Sequence, residues 1–224
     1  FAFVKAFDWS ADSKKIAFIR FDESEVPEFS MSIFQKELYP KVETFKYPKA
    51  GEKNAVVSLH IYDVASQAKK DVNLGNYSDF YIARMQWTND ANVLSAQVLN
   101  RHQDNLDLLF IDGTTAAAKV VLNEKDKAYI DVTDNLTFLK DNSFIWTSEK
   151  DGFNHIYLYD KTGKLINQVT KGNWEVTNYY GFDEKTKTIF YQSVENGSIN
   201  RDIYRIGLDG KNKVRLSSKV GTSA

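Results

Sequence analysis

Leu59-His60-Ile61-Tyr62-Asp63, Leu108-Leu109-Phe110-Ile111-Asp112, Ile156-Tyr157-Leu158-Tyr159-Asp160 and Tyr204-Arg205-Ile206-Gly207-Leu208-Asp209 are four copies of one unit, a short apolar-rich strand running into aspartate. The aspartates lie 49, 48 and 49 residues apart. A repeat of about 40 to 50 residues is the period of propellers and some solenoids. Turn material follows each copy: Ala65-Ser66-Gln67, Gly113-Thr114-Thr115, Lys161-Thr162-Gly163 and Gly210-Lys211-Asn212. Aspartate supports such turns by accepting hydrogen bonds from the backbone just downstream, and glycine supplies positive φ.

A further strand follows each turn: Lys70–Leu74, Lys119–Leu122, Lys164–Gln168 and Lys213–Leu216. A hairpin precedes each Asp strand. Its copies are Phe7–Trp9 with Lys15–Arg20, Met85–Trp87 with Val93–Val98, Leu136–Phe138 with Ser143–Trp146, and Tyr180–Phe182 with Thr188–Tyr191. Four strands per repeat is the content of a propeller blade. The expected fold is all-β, a β-propeller fragment of four consecutive antiparallel blades at about 4–75, 79–123, 128–171 and 174–217. No segment sustains apolar spacing of three and four, so almost no helix is expected. Trp9, Trp87, Phe138 and Phe182 recur at one hairpin position, where packing between blades accounts for them.

The repeat breaks once. Residues 24–56 interrupt the first blade and carry all three prolines, Pro27, Pro40 and Pro48. Loops this long are commonly functional. The segment is rich in large apolar groups, among them Val26, Phe29, Met31, Ile33, Phe34, Leu38, Tyr39, Val42, Phe45 and Tyr47. Exposed, they gain nothing from the hydrophobic effect, so they bury on a partner or fold back on their own blade. Ser32–Glu37 and Lys41–Tyr47 are expected to pair as strands, with Pro40 near the turn.

Composition narrows the chemistry. Hydrophobic residues make up 42% and aromatics 14%, enough for a sizeable core. A net charge of −1 argues against a cationic nucleic-acid surface. The absence of cysteine excludes disulfide scaffolds, thiolate zinc sites and a cysteine nucleophile. No apolar run approaches the roughly 20 residues of a membrane span. No Gly-x-Ser-x-Gly elbow or glycine-rich phosphate loop occurs, and no second histidine stands at metal-ligand spacing from His60, His102 or His155. No catalytic residue, metal or cofactor is therefore expected. Asp22-Glu23-Ser24-Glu25 is the densest acidic cluster and reads as a solvated turn more readily than as a cation site. Three sequons begin at Asn76, Asn135 and Asn196. The opening Phe1-Ala2-Phe3, already strand-like, suggests a piece of a longer protein. Four blades would leave two blade faces open, so the chain is expected to self-associate or to be less stable than a closed ring.

Several segments resemble the propeller of the dipeptidyl peptidase IV branch of the prolyl oligopeptidase clan. They are Trp9–Pro27, Tyr47-Pro48-Lys49-Ala50-Gly51 followed by Asn54, Leu99–Asn105, Ser148–Tyr157 and Lys171–Val176. They span nearly the whole chain in the family's order, and the version here is similar to bacterial members. The resemblance implies an eight-bladed propeller capping an α/β-hydrolase domain, in an enzyme that removes dipeptides with Pro or Ala at the second position from a free N-terminus. It implies a Ser-Asp-His triad far downstream of Ala224. It also implies a glutamate pair for the substrate ammonium immediately before Phe1, so Glu23 and Glu25 are not that pair. The family's later-blade arginine would fall near Ile130–Thr137, where no arginine stands. The matching insertion reaches a second subunit, which makes residues 24–56 a candidate homodimer arm with Phe29, Ile33, Phe34, Tyr39, Val42 and Phe45 as contacts. An exported protein, periplasmic or on the cell surface, is implied too. The reading from a different class is a free-standing propeller that binds proteins or glycans without catalysis.

Overall fold

The computed structural model describes residues 5–75 and 77–223, with strands and no helix among them. The first four-stranded sheet joins β1 (Phe7–Trp9), β2 (Lys15–Asp22), β5 (Val56–Asp63) and β6 (Lys69–Asp71). Between its second and third strands a separate two-stranded sheet is inserted, β3 (Glu28–Ile33) and β4 (Lys41–Lys46). The second sheet is β7 (Phe80–Trp87), β8 (Val93–Asn100), β9 (Asn105–Asp112) and β10 (Ala118–Lys125). The third is β11 (Thr137–Phe138), β12 (Phe144–Ser148), β13 (His155–Tyr159) and β14 (Leu165–Gln168). The fourth is β15 (Val176–Asp183), β16 (Thr188–Ser193), β17 (Asp202–Gly207) and β18 (Val214–Arg215). All four are antiparallel meanders, which makes the chain an all-β propeller fragment, as its sequence predicts.

Strand alternation sends each blade's side chains to two neighbours. On β8, Leu94, Ala96 and Val98 pack with Ala17, Ile19, Leu59 and Ile61 of the first blade, while Leu99 points the other way. On β9, Leu109 and Ile111 face the first blade; Leu106 and Leu108 meet Phe144, Trp146, Tyr157 and Tyr159 of the third. Ile145, Ile156 and Leu158 in turn meet Ile189, Tyr191, Tyr204 and Ile206 of the fourth. The core is thus three slabs between blades, each fed by both flanking sheets.

The recurring aromatics serve these slabs. Trp87, Phe138 and Phe182 each join the slab towards the preceding blade. Trp87 also donates its backbone N–H to Asp8 Oδ2 and its Nε1–H to the Asp8 carbonyl. Trp9 occupies the same position but faces the open side of the first blade, and is 47% exposed against 7% for Trp87.

The Asp turns close as expected. Asp63 accepts from Ser66 N, Asp112 from Thr114 N and Thr115 N, Asp160 from Thr162 N and Lys164 N, and Asp209 from Lys211 N. Backbone donors hold the Asp112 carboxyl below its usual range; for Asp160 the Thr162 hydroxyl is the larger influence. A second aspartate series, uncounted in the sequence reading, caps the first hairpins: Asp12 to Lys14 N, Asp90 to Asn92 N, Asp141 to Ser143 N and Asp183 to Lys185 N.

Two local expectations need correction. The arm's first strand is Glu28–Ile33, not Ser32–Glu37. Cross-strand pairs set this register: Glu28 opposite Lys46, Phe29 opposite Phe45, Ser30 opposite Thr44. Their ion pair, ring contact and hydroxyl hydrogen bond are all made only here, which leaves residues 34–40 as the connecting loop. The strand expected at Leu136–Phe138 shrinks to two residues. Side chains of the second blade take the carbonyls of that segment instead: Gln97 Nε2 donates to Thr133 O, Gln86 Nε2 to Leu136 O and Asn89 Nδ2 to Leu139 O.

Candidate functional site

The arm carries the chain's concentration of exposed apolar groups. On one hairpin face Phe29, Phe45 and Tyr47 form a ring triangle with centroids 5.8 to 6.1 Å apart, and Lys49 Nζ lies 5.5 Å from the Phe29 ring. Ile33 is half-buried and Val42 exposed. The loop is bare: Phe34, Leu38 and Tyr39 are 82%, 90% and 80% exposed. The six candidate contacts thus divide into a self-packed stem and an uncovered tip.

At the arm's root, Val26 is buried and Pro27 O accepts from Tyr47 N at 2.9 Å. Glu25 pairs with Lys53. Asp22 accepts from Ser24 N and pairs with Arg20. The Asp22–Glu25 cluster is therefore a turn at the arm's exit, with its charges largely matched. Asn54 Nδ2 donates to Tyr81 Oη at 2.8 Å. Arg101 donates to Glu52 O at 2.5 Å and to Asp79 Oδ2 at 2.9 Å.

Sequence reading missed a second feature, a cleft of about 320 Å³ between the second and third blades. Five acids line it, Glu124, Asp126, Asp131, Asp134 and Glu149, against Lys125 and Lys150. Burial pushes the Glu124 carboxyl up, opposed by hydrogen bonds from Ser148 and Trp146. Burial also raises Glu149, helped by the charges of Asp131, Glu175 and Asp126. Lys150 is lowered by burial; its Nζ sits 3.9 Å from the Tyr157 ring centroid and donates to Tyr159 Oη. The field here suits cationic groups over anionic ones. The run from Glu124 to Asp134, with four acids in eleven residues (Glu124, Asp126, Asp131 and Asp134), was the available signal had Glu149 been placed beside it.

The histidines do structural work. His155 bonds Thr170 Oγ1 and Gly172 O and meets the Trp174 ring edge-on. His60 stacks on Phe18, with Nδ1 2.8 Å from Asp71 Oδ1 and Nε2 2.8 Å from Ser58 Oγ. That order of groups resembles a nucleophile relay. Ser58 stands within β5, however, without the turn-borne backbone donors that an acyl-transfer site needs. His102 is exposed in the turn after β8. No cluster of three metal-ligating side chains occurs among the described residues. Of the sequons, Asn76 lies outside the described residues; Asn135 donates to Thr147 and Asn196 to Asp202 and Tyr204.

The chain is similar in fold and sequence to known proteins. The crystal structure of Porphyromonas gingivalis dipeptidyl peptidase 4 superposes with a TM-score of 0.90 at 43% identity, over 97% of this chain and 31% of that one. Dipeptidyl aminopeptidase B of Saccharomyces cerevisiae is 28% identical over 94% of this chain and 28% of its own length. A protein of Phaeosphaeria nodorum named "Probable dipeptidyl-aminopeptidase B" is 30% identical over 95% of this chain and 26% of its own. The chain thus spans about a quarter of the curated relatives it matches. The model of the dipeptidyl peptidase IV N-terminal region matches residues 1–224. With the blade repeat and the interrupted first blade on the same chain, the conclusion is that this chain belongs to the dipeptidyl peptidase IV N-terminal region family.

Proposed function

We propose that the chain is the non-catalytic propeller of a serine-type dipeptidyl peptidase, restricting access to a hydrolase domain elsewhere in the polypeptide and positioning the peptide's free N-terminus for release of X-Pro or X-Ala dipeptides. The match of the family model over all 224 residues carries this reading. The sequence contributes no nucleophile elbow of its own. The test is a Gly-Pro chromogenic substrate. Full-length protein is expected to cleave it and the 224-residue chain to leave it intact. Turnover by the purified chain after removal of contaminating proteases refutes the division of labour. A full-length protein without turnover favours the free-standing binding propeller instead. The same kinship supports an exported protein, periplasmic or on the cell surface, which cell fractionation checks.

The arm is proposed as a homodimer contact. The supporting observation is the bare tip of Phe34, Leu38 and Tyr39. Each such side chain contributes about 1.5–3 kcal/mol only once water is removed. Replacing all three with serine is expected to weaken self-association of the full-length protein by about a hundredfold or more, since every 1.4 kcal/mol is a factor of ten. Sedimentation equilibrium reads the result, and unchanged association removes the assignment.

A further inference from the structure

The root of the arm is not packed as the blades are. A cavity of about 440 Å³ separates it from the second blade, with Val56, Val57 and Phe80 on its apolar wall. The hairpin joins no blade sheet, so no strand ladder sets its direction. What reaches the second blade is polar. Arg101, in the turn after β8, donates Nη2–H to Glu52 O and Nη1–H to Asp79 Oδ2. Asn54 Nδ2 donates to Tyr81 Oη, on β7. The returning chain bends just before these contacts, where Glu52 N bonds Lys49 O and Gly51 takes φ +84°. An added Cβ at Gly51 would meet nothing within 4 Å, so the bend is held by its own hydrogen bonds, Glu52 N to Lys49 O and Lys49 N to Glu52 Oε2, and by no packing against the propeller. Asp79 holds left-handed backbone at φ 48°, local strain of the kind that persists when surrounding contacts hold it.

We propose that Arg101 and Tyr81 are positioning residues for the arm: they fix the direction in which the hairpin leaves the propeller and so present its tip pre-oriented to a second copy of this chain. A planar guanidinium bonded to a carbonyl on the arm and a carboxylate on the blade constrains direction as well as distance, which a flexible ammonium does not. The Tyr81 contact adds a second fixed point two residues along the chain. An arm held this way meets its partner without first losing orientational freedom, the usual gain from pre-organisation. The Lys53–Glu25 pair at the same root joins two exposed side chains and contributes little. The clause about a second copy rests on the dimer reading above; the latch itself does not.

The chain has no cysteine, so two introduced ones take spin labels cleanly. Labels at Glu37→Cys on the arm tip and Lys119→Cys on the second blade report the arm's direction as a distance distribution, measured with excess unlabelled protein. A single narrow distribution is expected. Arg101→Ala should broaden it about twofold or more, Tyr81→Phe less, and Arg101→Lys should fall between Arg101→Ala and the parent, as loss of one or two tethering hydrogen bonds releases the segment. Should Arg101→Ala fail to fold, Arg101→Lys and Tyr81→Phe still decide. An unbroadened distribution in the folded variants, or a broad one in the parent, overturns the latch. Sedimentation of the same variants should show association weakened about tenfold, the equivalent of 1.4 kcal/mol. Broadening with unchanged association sustains the latch and sinks the dimer reading. Weakened association with no broadening sinks the latch alone.

Discussion

Gly163→Ala is expected to destabilise the protein by about 3 kcal/mol or more, among the larger effects of a single added methyl group. Gly163 ends the Asp160 turn at φ +87°, and a Cβ there would lie 1.8 Å from the Val121 carbonyl oxygen. Val121 belongs to β10, so the turn of the third blade presses on the outermost strand of the second. Neither side can yield easily. The turn is held by Gly163 N to Asp160 O at 3.0 Å and by Thr162 N and Lys164 N to the Asp160 carboxylate. Val121 is the extra residue of a bulge in β10, fixed on both sides by the pairs Val120–Leu109 and Leu122–Leu108. Gly152→Ala is the control: φ there is +100° but nothing lies within 4 Å of the added carbon, so only backbone strain of about 1 kcal/mol applies. Urea denaturation of both variants separates contact from strain. Equal losses would show that the contact between blades contributes nothing. Gly210 repeats the device one blade later, with its Cβ position 3.1 Å from Val169 O.

Asp202→Ala is expected to cost about 3 kcal/mol, because it leaves several donors unpaired around a buried site. The Asp202 side chain is 1% exposed. It accepts from Ser217 Oγ and Arg215 Nη2, each at 2.6 Å, and from Asn196 Nδ2 at 2.9 Å. Arg215 is partly exposed and regains water, which keeps the loss below that of a fully buried pair. These contacts tie the chain after β18 to the start of β17. They also carry a pH signature. The Ser217 hydroxyl first, then Asn196 and Arg215, hold the Asp202 carboxyl below its usual range. A carboxyl lowered in the folded state stabilises fully above its unfolded pKa of about 3.9 and loses that contribution as pH falls through the lower folded value. Asp202→Asn should therefore flatten the fall in stability below about pH 4 while lowering stability at neutral pH. Parallel pH curves for the two proteins would contradict the assignment.

The two residues differ in how visible they are. Gly163 stands in a turn that the 48- and 49-residue spacing already marks, and Asp160 announces its own local bonds. Asp202 lies outside both aspartate series; Asn196 reaches it from the loop before β17, but Arg215 and Ser217 meet it only when β18 pairs with β17. The arm shows the same division. Its existence, its prolines and its apolar load were legible along the chain. Its strand register was not, because Glu28–Ile33 and Ser32–Glu37 are both plausible strands until Phe29, Ser30 and Glu28 find their partners across the hairpin.

Alternation within strands and aspartate-capped turns are interactions between near neighbours, so the sequence by itself determined that this chain is a run of four-stranded blades broken once by an arm. Which slab each aromatic enters, how Gln86, Asn89 and Gln97 replace part of a strand ladder, and where five acids line one cleft were decided only by the tertiary structure. The physical reason is that these outcomes depend on groups about 50 residues apart in different blades, such as Arg84 with Asp134 and Arg101 with Glu52, whose meeting is set by how the sheets stack and by no local preference of the chain.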